Sequence, residues 1–314
     1  MIIVHMNNIV KRYGKHLALD CVDLDISKGE ILGLIGPNGA GKTTLIHSLS
    51  GIINIDSGEI RVFGKSHRDN MLDIKKQIGL VTQDIAIIWD LTARENLEFF
   101  GGIYGLKGEE LKRRVDEALE TVGLTEHSKK LPTKFSGGMQ RRLNIACALV
   151  HKPKLLILDE PTVGIDPQSR KHIIDTVKGL NKQGTTIIYT THYIEEVQSI
   201  ASRVVIMDQG HVIIEGTVEE LVEKIQHEEK IKIEVVDPDD ELIQKLRKID
   251  GVKQVSKEGK QIIIISSIGS GALDSALSIA KGYGGVRSVN ADKPNLEDVF
   301  LTLTGKTLRD GEDK

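Results

Sequence analysis

The sequence predicts an α/β protein in two parts, a large layer built on a mixed sheet and a smaller α/β unit behind it. Three observations carry that prediction. A glycine-rich loop, Gly36-Pro-Asn-Gly-Ala-Gly-Lys-Thr43, lies between an apolar run, Ile31-Leu-Gly-Leu-Ile35, and a helix start, Thr44-Leu-Ile-His-Ser-Leu-Ser50. Beyond residue 150, strand-like and helix-like runs alternate, the order of a mainly parallel sheet covered on both faces. Beyond residue 230 the order changes to strand, helix, strand, strand, helix, strand.

Taken in order, the first strands are short and surround the glycine-rich loop: Ile2–Val10, Leu19–Ile26, Glu30–Ile35 and Gly58–Phe63. Ile78–Thr82 is a further strand that ends at Gln83. From about residue 84 to 150 the pattern is helical. Thr92-Ala-Arg-Glu95 is a capping box, and Leu111, Val115, Leu119 and Val122 share one helical face. Such an insert projects from the sheet as a separate lobe. Strands follow at Lys154–Leu158, Thr185–Thr190, Val204–Met207 and Val212–Ile214, with helices around 137–150, 167–182 and 193–200.

The charged stretch from Glu219 to Lys230 reads as a helix running into a linker, which places a first domain at 1–225 and a second at 228–314. The second contains strands Ile231–Val236, Val252–Val255, Gln261–Ser266 and Val286–Val289, with helices Asp240–Lys248 and Ala272–Lys281. This β-α-β-β-α-β succession is the ferredoxin-like split order. A last helix, Leu296–Leu303, ends at Gly305 as its C-terminal cap.

The loop Gly36–Thr43 fits G-x-x-x-x-G-K-[ST] between strand and helix, the phosphate-binding pattern of nucleoside triphosphatases. Its glycines let the main chain curl so that successive N–H groups form a nest for phosphate oxygens. The following helix adds unpaired donors and a favourable dipole. Gly36, Pro37, Asn38, Gly39, Ala40, Gly41, Lys42, Thr43 and Thr44 are thus candidate nucleotide contacts, Lys42 as a mobile cation and Thr43 as a hydroxyl ligand for Mg²⁺. Leu155-Leu-Ile-Leu-Asp159-Glu160 supplies the acidic partner, with Asp159 in the Mg²⁺ shell and Glu160 as general base for an attacking water.

Between these two elements stands Phe135-Ser-Gly-Gly-Met-Gln-Arg-Arg142, directly before an apolar helix. Ser136 is a good N-cap, and Gly137 and Gly138 leave their N–H groups open to an anion. A chain with two phosphate-binding helix starts makes most sense if two copies pair head to tail, each completing the other's nucleotide site.

Composition narrows the partners. Acidic and basic residues nearly balance, 45 against 42, for a net charge of −3, so nothing marks an electrostatic nucleic-acid binder. Cys21 and Cys147 lie far apart without metal-ligand spacing and read as small core residues of a reduced, cytosolic protein. No run approaches 18 apolar residues, and Met1-Ile-Ile-Val-His-Met lacks the features of a secretory signal. No direct membrane insertion is expected, and any membrane role would come through a partner chain.

On these residues the chain resembles the nucleotide-binding subunit of an ABC transporter, over about residues 2 to 225. Gly36–Thr43 matches Walker A, Leu155–Glu160 matches Walker B, and Ser136-Gly137-Gly138 matches the signature motif. Gln83 stands at the Q-loop glutamine, Val163-Gly-Ile-Asp166 resembles the D-loop, and Thr191-His192 matches the switch histidine. The signature departs from its commonest form in having Phe135 for leucine and Met139 for glutamine, which leaves the phosphate-contacting Ser-Gly-Gly intact.

The resemblance implies a P-loop ABC ATPase fold, a mixed sheet with N-terminal antiparallel strands and a helical subdomain, and ATP with Mg²⁺ as cofactors. It adds Gln83 and His192 to Glu160 as catalytic candidates, Gln83 also as a metal contact, and Asp166 as a cofactor contact. It implies a homodimer or paired ATPase subunit in the ATP state, and a polytopic permease holding the protein on the inner face of the cell membrane. Tyr13 occupies the adenine-stacking position; on its own it would be a half-buried surface aromatic. Trp89, in the apolar run after Gln83, either anchors a permease interface or packs within the helical lobe.

The ending Pro294-Asn-Leu-Glu-Asp-Val-Phe-Leu-Thr-Leu-Thr-Gly305 resembles the tail of export-type ATPases serving drug, antibiotic, polysaccharide or sodium efflux. The rival is an ABC ATPase acting on ribosomes, DNA or a regulatory partner. Ribosomal members usually carry two cassettes and DNA-repair members a long coiled-coil insertion. This chain has one phosphate loop and roughly 110 residues between its Walker motifs.

Overall fold

A computed structural model of the chain describes residues 1–225, 228–236, 238–267, 269–283, 285–292 and 295–304. The fold divides into two compact units, one over Met1–Val218 and the other beginning at Glu219.

The first unit opens with a hairpin of two long strands, β1 (Ile2–Tyr13) and β2 (His16–Ser27). The hairpin runs beyond Val10, the expected end of the first strand, because register shifts let the pair bend and continue to Tyr13 and His16. Two non-glycine residues in these strands, Asn8 and Cys21, take positive φ of 52° and 51°. Cys21 is exposed there, contrary to its reading as a core residue, whereas Cys147 is buried.

Next come β3 (Ile31–Ile35), α1 (Lys42–Ser50), β4 (Ser57–Val62), β5 (Lys65–Ser66), α2 (Met71–Lys75) and β6 (Ile78–Val81). The helical lobe contains α3 (Ala93–Ile103), α4 (Gly108–Thr121) and α5 (Gly137–Leu149). The chain then alternates through β7 (Leu155–Asp159), α6 (Pro167–Lys182), β8 (Thr186–Thr190), α7 (Ile194–Ile200), β9 (Arg203–Asp208) and β10 (His211–Gly216). Neither the two-residue β5 nor α2 has a periodic signal long enough to read.

Two sheets result. One is antiparallel, in the order β2-β1-β4-β5; the other runs β10-β9-β3-β8-β7-β6 and is parallel except for β10. The residues of β3, β7 and β8 are buried throughout. That is why these strands read as unbroken apolar runs instead of alternating ones.

One core, which includes Leu34, Leu45, Ile157 and Met207, joins the antiparallel sheet and α1 to the parallel sheet. The other, which includes Leu97, Val115, Leu119, Leu143, Leu158 and Val177, covers the opposite face and fills the lobe. The capping box closes as expected, with the Glu95 N–H donating to Thr92 Oγ1 at 3.3 Å and the Thr92 N–H to Glu95 Oε2 at 2.8 Å. Because β3, β8, β7 and β6 are adjacent and parallel, their carboxyl ends gather Lys42, His192, Glu160 and Gln83 on one edge of the sheet.

The second unit takes in α8 (Val218–Ile225) from its second residue on, then β11 (Glu228–Val235), α9 (Asp240–Leu246), β12 (Val252–Glu258), β13 (Gln261–Ser267), α10 (Ala272–Lys281), β14 (Val286–Asp292) and α11 (Leu296–Thr304). Its sheet is antiparallel in the order β12-β13-β11-β14. Ile231, Ile233, Ile262 and Ile264 meet Leu242, Leu246, Ala276 and Ala280 in a core of its own. Glu228 to Lys230, expected in a linker, begin β11 instead and pair with Ser267 to Ile265. Pro294 and Gly305, the ends of the export-type tail motif and the latter the expected cap of the last helix, lie outside the described residues.

Candidate functional site

The glycine-rich loop leaves β3 and turns into α1 through two glycines with positive φ, Gly39 at 81° and Gly41 at 102°. Side chains are excluded at two places in the loop. A Cβ on Gly36 would come within 2.4 Å of the Met207 carbonyl oxygen, and one on Gly41 within 2.6 Å of the Ala18 carbonyl oxygen. The N–H groups of the first turn of α1 have no partner within the helix, so they are free to receive an anion.

Lys42 folds back over this loop, its Nζ donating to the carbonyls of Gly36 at 2.7 Å and Pro37 at 3.1 Å. Burial pulls the ammonium pKa down, and the carboxylates of Glu160 and Asp159 oppose that shift.

Asp159 ends β7 with only 3% of its surface exposed. It is satisfied from both sides, by Thr43 Oγ1 at 3.2 Å and by Thr190 Oγ1 at 2.6 Å. The same Thr190 hydroxyl accepts the Glu160 N–H at 2.9 Å. That contact helps hold Glu160 at a positive φ of 47° and turns its side chain off the line of the strand. Gln83 Nε2 donates to Glu160 Oε2 at 3.1 Å, and His192 Nδ1 lies 3.8 Å from the same oxygen. His192 and Lys42 together hold the Glu160 carboxyl below its ordinary pKa, against the opposing effect of burial. Glu160 is therefore ionised at neutral pH, as a proton acceptor must be.

These groups open onto a cleft of about 250 Å³ lined by Tyr13, His16, Ala18, the loop from Asn38 to Thr44, Gln83 and Glu160. Tyr13 stands at this cleft half exposed, with Lys11 Nζ 5.6 Å from its ring centre.

The remaining candidates fall elsewhere. Ser136 caps α5, accepting the Met139 N–H at 3.3 Å, and both Ser136 and Gly137 are exposed at that helix start. Neither is among the residues lining the cleft. Asp166 caps α6, accepting the Ser169 N–H at 2.9 Å. Gly138 packs beneath that cap, since a Cβ there would strike Ser169 Oγ at 2.0 Å. Trp89 is 42% exposed, while Ile87 of the same run is buried in the lobe core.

Several contributors carry no readable signal in the sequence. Thr190 orders both carboxylates, yet a threonine ending a strand is commonplace. Glu196 of α7 is buried and accepts from Thr162 Oγ1 and the Tyr189 hydroxyl, both at 2.9 Å, with Arg170 Nε 3.4 Å away. Arg141 of α5 donates to the carbonyls of Thr82 and Gln83. In the sequence, Glu196 and Arg141 read as ordinary charges on helices.

The chemistry of this cleft is that of triphosphate hydrolysis: a nest with a lysine, a hydroxyl beside a buried carboxylate, and an ionised glutamate at its mouth. Comparison with known proteins agrees. Residues 19–163 match the ABC transporter family. The linearmycin resistance ATP-binding protein of Bacillus subtilis (strain 168) is 45% identical over 306 residues, 96% of this chain and 98% of that protein. The daunorubicin resistance ATP-binding protein of Streptomyces coeruleorubidus is 36% identical over 97% of this chain and 95% of its own length. The Nod factor export ATP-binding protein I of Cupriavidus metallidurans is 35% identical over 98% of this chain and 99% of its own length.

Among solved structures, a dimeric ATP-binding cassette in a post-hydrolysis state with ADP and Pi aligns at a TM-score of 0.63 and 30% identity, covering 68% of this chain and 98% of that one. An ATP-binding subunit of an ABC transporter aligns at a TM-score of 0.65 and 27% identity, covering 71% and 92%. The chain therefore belongs to the ABC transporter family and is one of its ATP-binding, ATP-hydrolysing subunits.

Proposed function

We propose that two copies of this chain close head to tail on two ATP molecules and, by closing and reopening, drive a separate membrane permease that exports an organic compound. The observation that carries the reading is the division of phosphate-binding elements in a single chain. The loop from Asn38 to Thr44, Glu160 and Gln83 line one cleft, with Asp159 buried against Thr43, whereas the helix start at Ser136-Gly137-Gly138, exposed at Ser136 and Gly137, is absent from that lining. A second copy would bring that helix start to the open side of the cleft, completing a site that one chain leaves half built.

In this reading Tyr13 stacks on the adenine, and the N–H groups of Gly39 to Thr44 with Lys42 hold the phosphates. Ser136, Gly137 and Gly138 of the second copy contact the γ-phosphate, Asp166 lies at the junction between copies, and His192 hydrogen-bonds the γ-phosphate. Glu160 takes a proton from the attacking water. The donor set fits Mg²⁺, a hard cation that favours oxygen ligands: a hydroxyl on Thr43, a buried carboxylate on Asp159 and the carboxamide oxygen of Gln83. When bound, the cation would neutralise charge on the β- and γ-phosphates.

Export is supported by the names of the full-length relatives, two of them resistance proteins and one an export protein. Among the described residues no helix is long and apolar enough to cross a membrane. A permease partner would therefore supply the membrane path and hold this subunit at its cytoplasmic face. Trp89, exposed beside the lobe, is available to such a partner.

Glu160→Gln tests the reading, since the amide keeps the shape but cannot accept the proton. With ATP and Mg²⁺ the variant should bind nucleotide normally, hydrolyse it at least a hundred-fold more slowly (a rough figure for losing a general base) and run as a dimer by light scattering. A variant that turned over at the wild-type rate, or stayed monomeric with bound ATP, would refute it.

A further inference from the structure

Arg141 stands early in α5, the helix that Ser136 caps, and is 5% exposed. Its Nη1 donates to the Thr82 carbonyl at 2.9 Å and its Nη2 to the Gln83 carbonyl at 2.6 Å. Three residues on, Asn144 Oδ1 accepts the Ala86 N–H at 3.2 Å. The segment leaving β6 is thus tied to the inner face of α5 at both ends. At the first of those ties, the Gln83 carboxamide reaches Glu160 Oε2.

A buried guanidinium spent on two adjacent main-chain carbonyls is an expensive way to hold a loop, because burial disfavours its charge and neutral acceptors return only part of that cost. Planar double donation fixes both the position and the direction of the peptide it grips, which a lysine at the same place would not do.

We propose that Arg141 is a positioning residue for ATP hydrolysis, holding the Gln83 peptide so that the Gln83 carboxamide stays on Glu160, and so linking the helix that begins at Ser136 to the hydrolytic carboxylate. This role depends on Gln83 and Glu160 acting in hydrolysis as proposed above. Arg141 itself is not among the residues lining the nucleotide cleft. It acts through one loop peptide, and its removal should therefore lower kcat without weakening nucleotide binding, since the phosphate loop and Tyr13 are untouched.

The test is a double-mutant cycle on full-length protein, with Arg141→Met, Gln83→Ala and the pair, reading kcat, KM and nucleotide affinity by fluorescence titration. Arg141→Met should lower kcat roughly ten-fold or more, the scale set by a small misplacement of reacting groups, with KM and affinity changed less than about two-fold. The pair should be no slower than the slower single variant, because without the carboxamide there is nothing left for Arg141 to aim.

Effects that multiply would overturn the proposal and make Arg141 an independent contributor. A fall in affinity or thermal stability with kcat unchanged would do the same and reduce it to a structural tie. If Gln83→Ala alone kept wild-type turnover, the role of Gln83 would fail first, and that result is separable from the others. Should Arg141→Met not fold, Arg141→Lys in the same cycle gives the reading, because one ammonium cannot hold both carbonyls.

Discussion

The positive φ of Glu160 concentrates the logic of the site in one residue. A glutamate in the left-handed region costs about 1–3 kcal/mol and persists only where its surroundings hold it. Here the Thr190 hydroxyl and carbonyl both accept its N–H. The strained backbone turns the carboxylate away from the strand axis, towards Gln83 and His192. The pattern of an apolar strand ending in two acids exposes Asp159 and Glu160 in the sequence, but the threonine that orders them has no signal of its own. The same asymmetry holds for Cys21. Its neighbours Leu19, Val22 and Leu24 are buried, and only the irregular register of the hairpin, invisible in composition, leaves the thiol in solvent.

His151 gives a residue-scale prediction about stability. Its ring stacks on Tyr104 at 3.6 Å, its Nε2 lies 3.0 Å from the Ile78 carbonyl, and its Nδ1 is buried without an acceptor. Burial lowers its pKa to about 4, against roughly 6.5 in an unfolded chain. Between those values the unfolded chain binds more protons than the folded one, so this contribution is full above pH 6.5 and is lost as pH falls towards 4. His151→Gln keeps a donor for Ile78 and cannot titrate. Denaturant titrations at several pH values should show the wild type losing on the order of 3 kcal/mol more than the variant across that window. Parallel profiles for the two proteins would show that His151 does not titrate in this way.

At the scale of elements, buried parallel strands and capped helices are the readable parts. β3, β7 and β8 are apolar throughout because both faces are covered, and α3 announces itself through the reciprocal Thr92 and Glu95 bonds. What stays hidden is assembled by contacts distant in sequence. The tie from α5 to residues 82 and 83 is one example, and the meeting of Thr162, Tyr189 and Arg170 at Glu196 is another. Helix α5 also carries the sharpest element-scale expectation. Its first turn is open to an anion, and a long cation at its cap position would occupy the space a partner's γ-phosphate needs. Ser136→Arg should therefore keep nucleotide binding at its own loop while steady-state hydrolysis falls below detection. Loss of the cap alone costs about 1 kcal/mol, too little to unfold the domain. Mixing this variant with Lys42→Ala should restore part of the activity, because one of the two composite sites then keeps both intact halves. An active Ser136→Arg protein would rule out head-to-tail pairing.

At the scale of the whole molecule, the chain consists of units with separate cores, and the sequence shows this through a change in element order rather than a flexible linker. Glu228 to Lys230, which look like linker by charge, belong to a strand whose partner side chains include Ser266. The charges mark the start of a strand, with Glu229 and Lys230 half-buried, a distinction composition cannot make. Every nucleotide motif lies before residue 193, and among the described residues the cores of the first unit draw on nothing beyond Val212. The second unit joins its sheet to α9 and α10 over an apolar face of its own. Removing residues 228–314 should therefore leave an ATPase domain that folds and binds ATP with unchanged affinity. What should change is pairing between copies, because a domain with its own core can hold two subunits together after hydrolysis has released the nucleotide contacts. Truncated and full-length proteins would be compared by ATP titration, steady-state hydrolysis and light scattering with and without ATP. A lower dimer fraction without nucleotide and a normal ATP affinity are expected of the truncated form. Loss of ATP binding would refute the independence of the first unit, and identical behaviour in all three measurements would leave the second unit as a cap with no part in pairing.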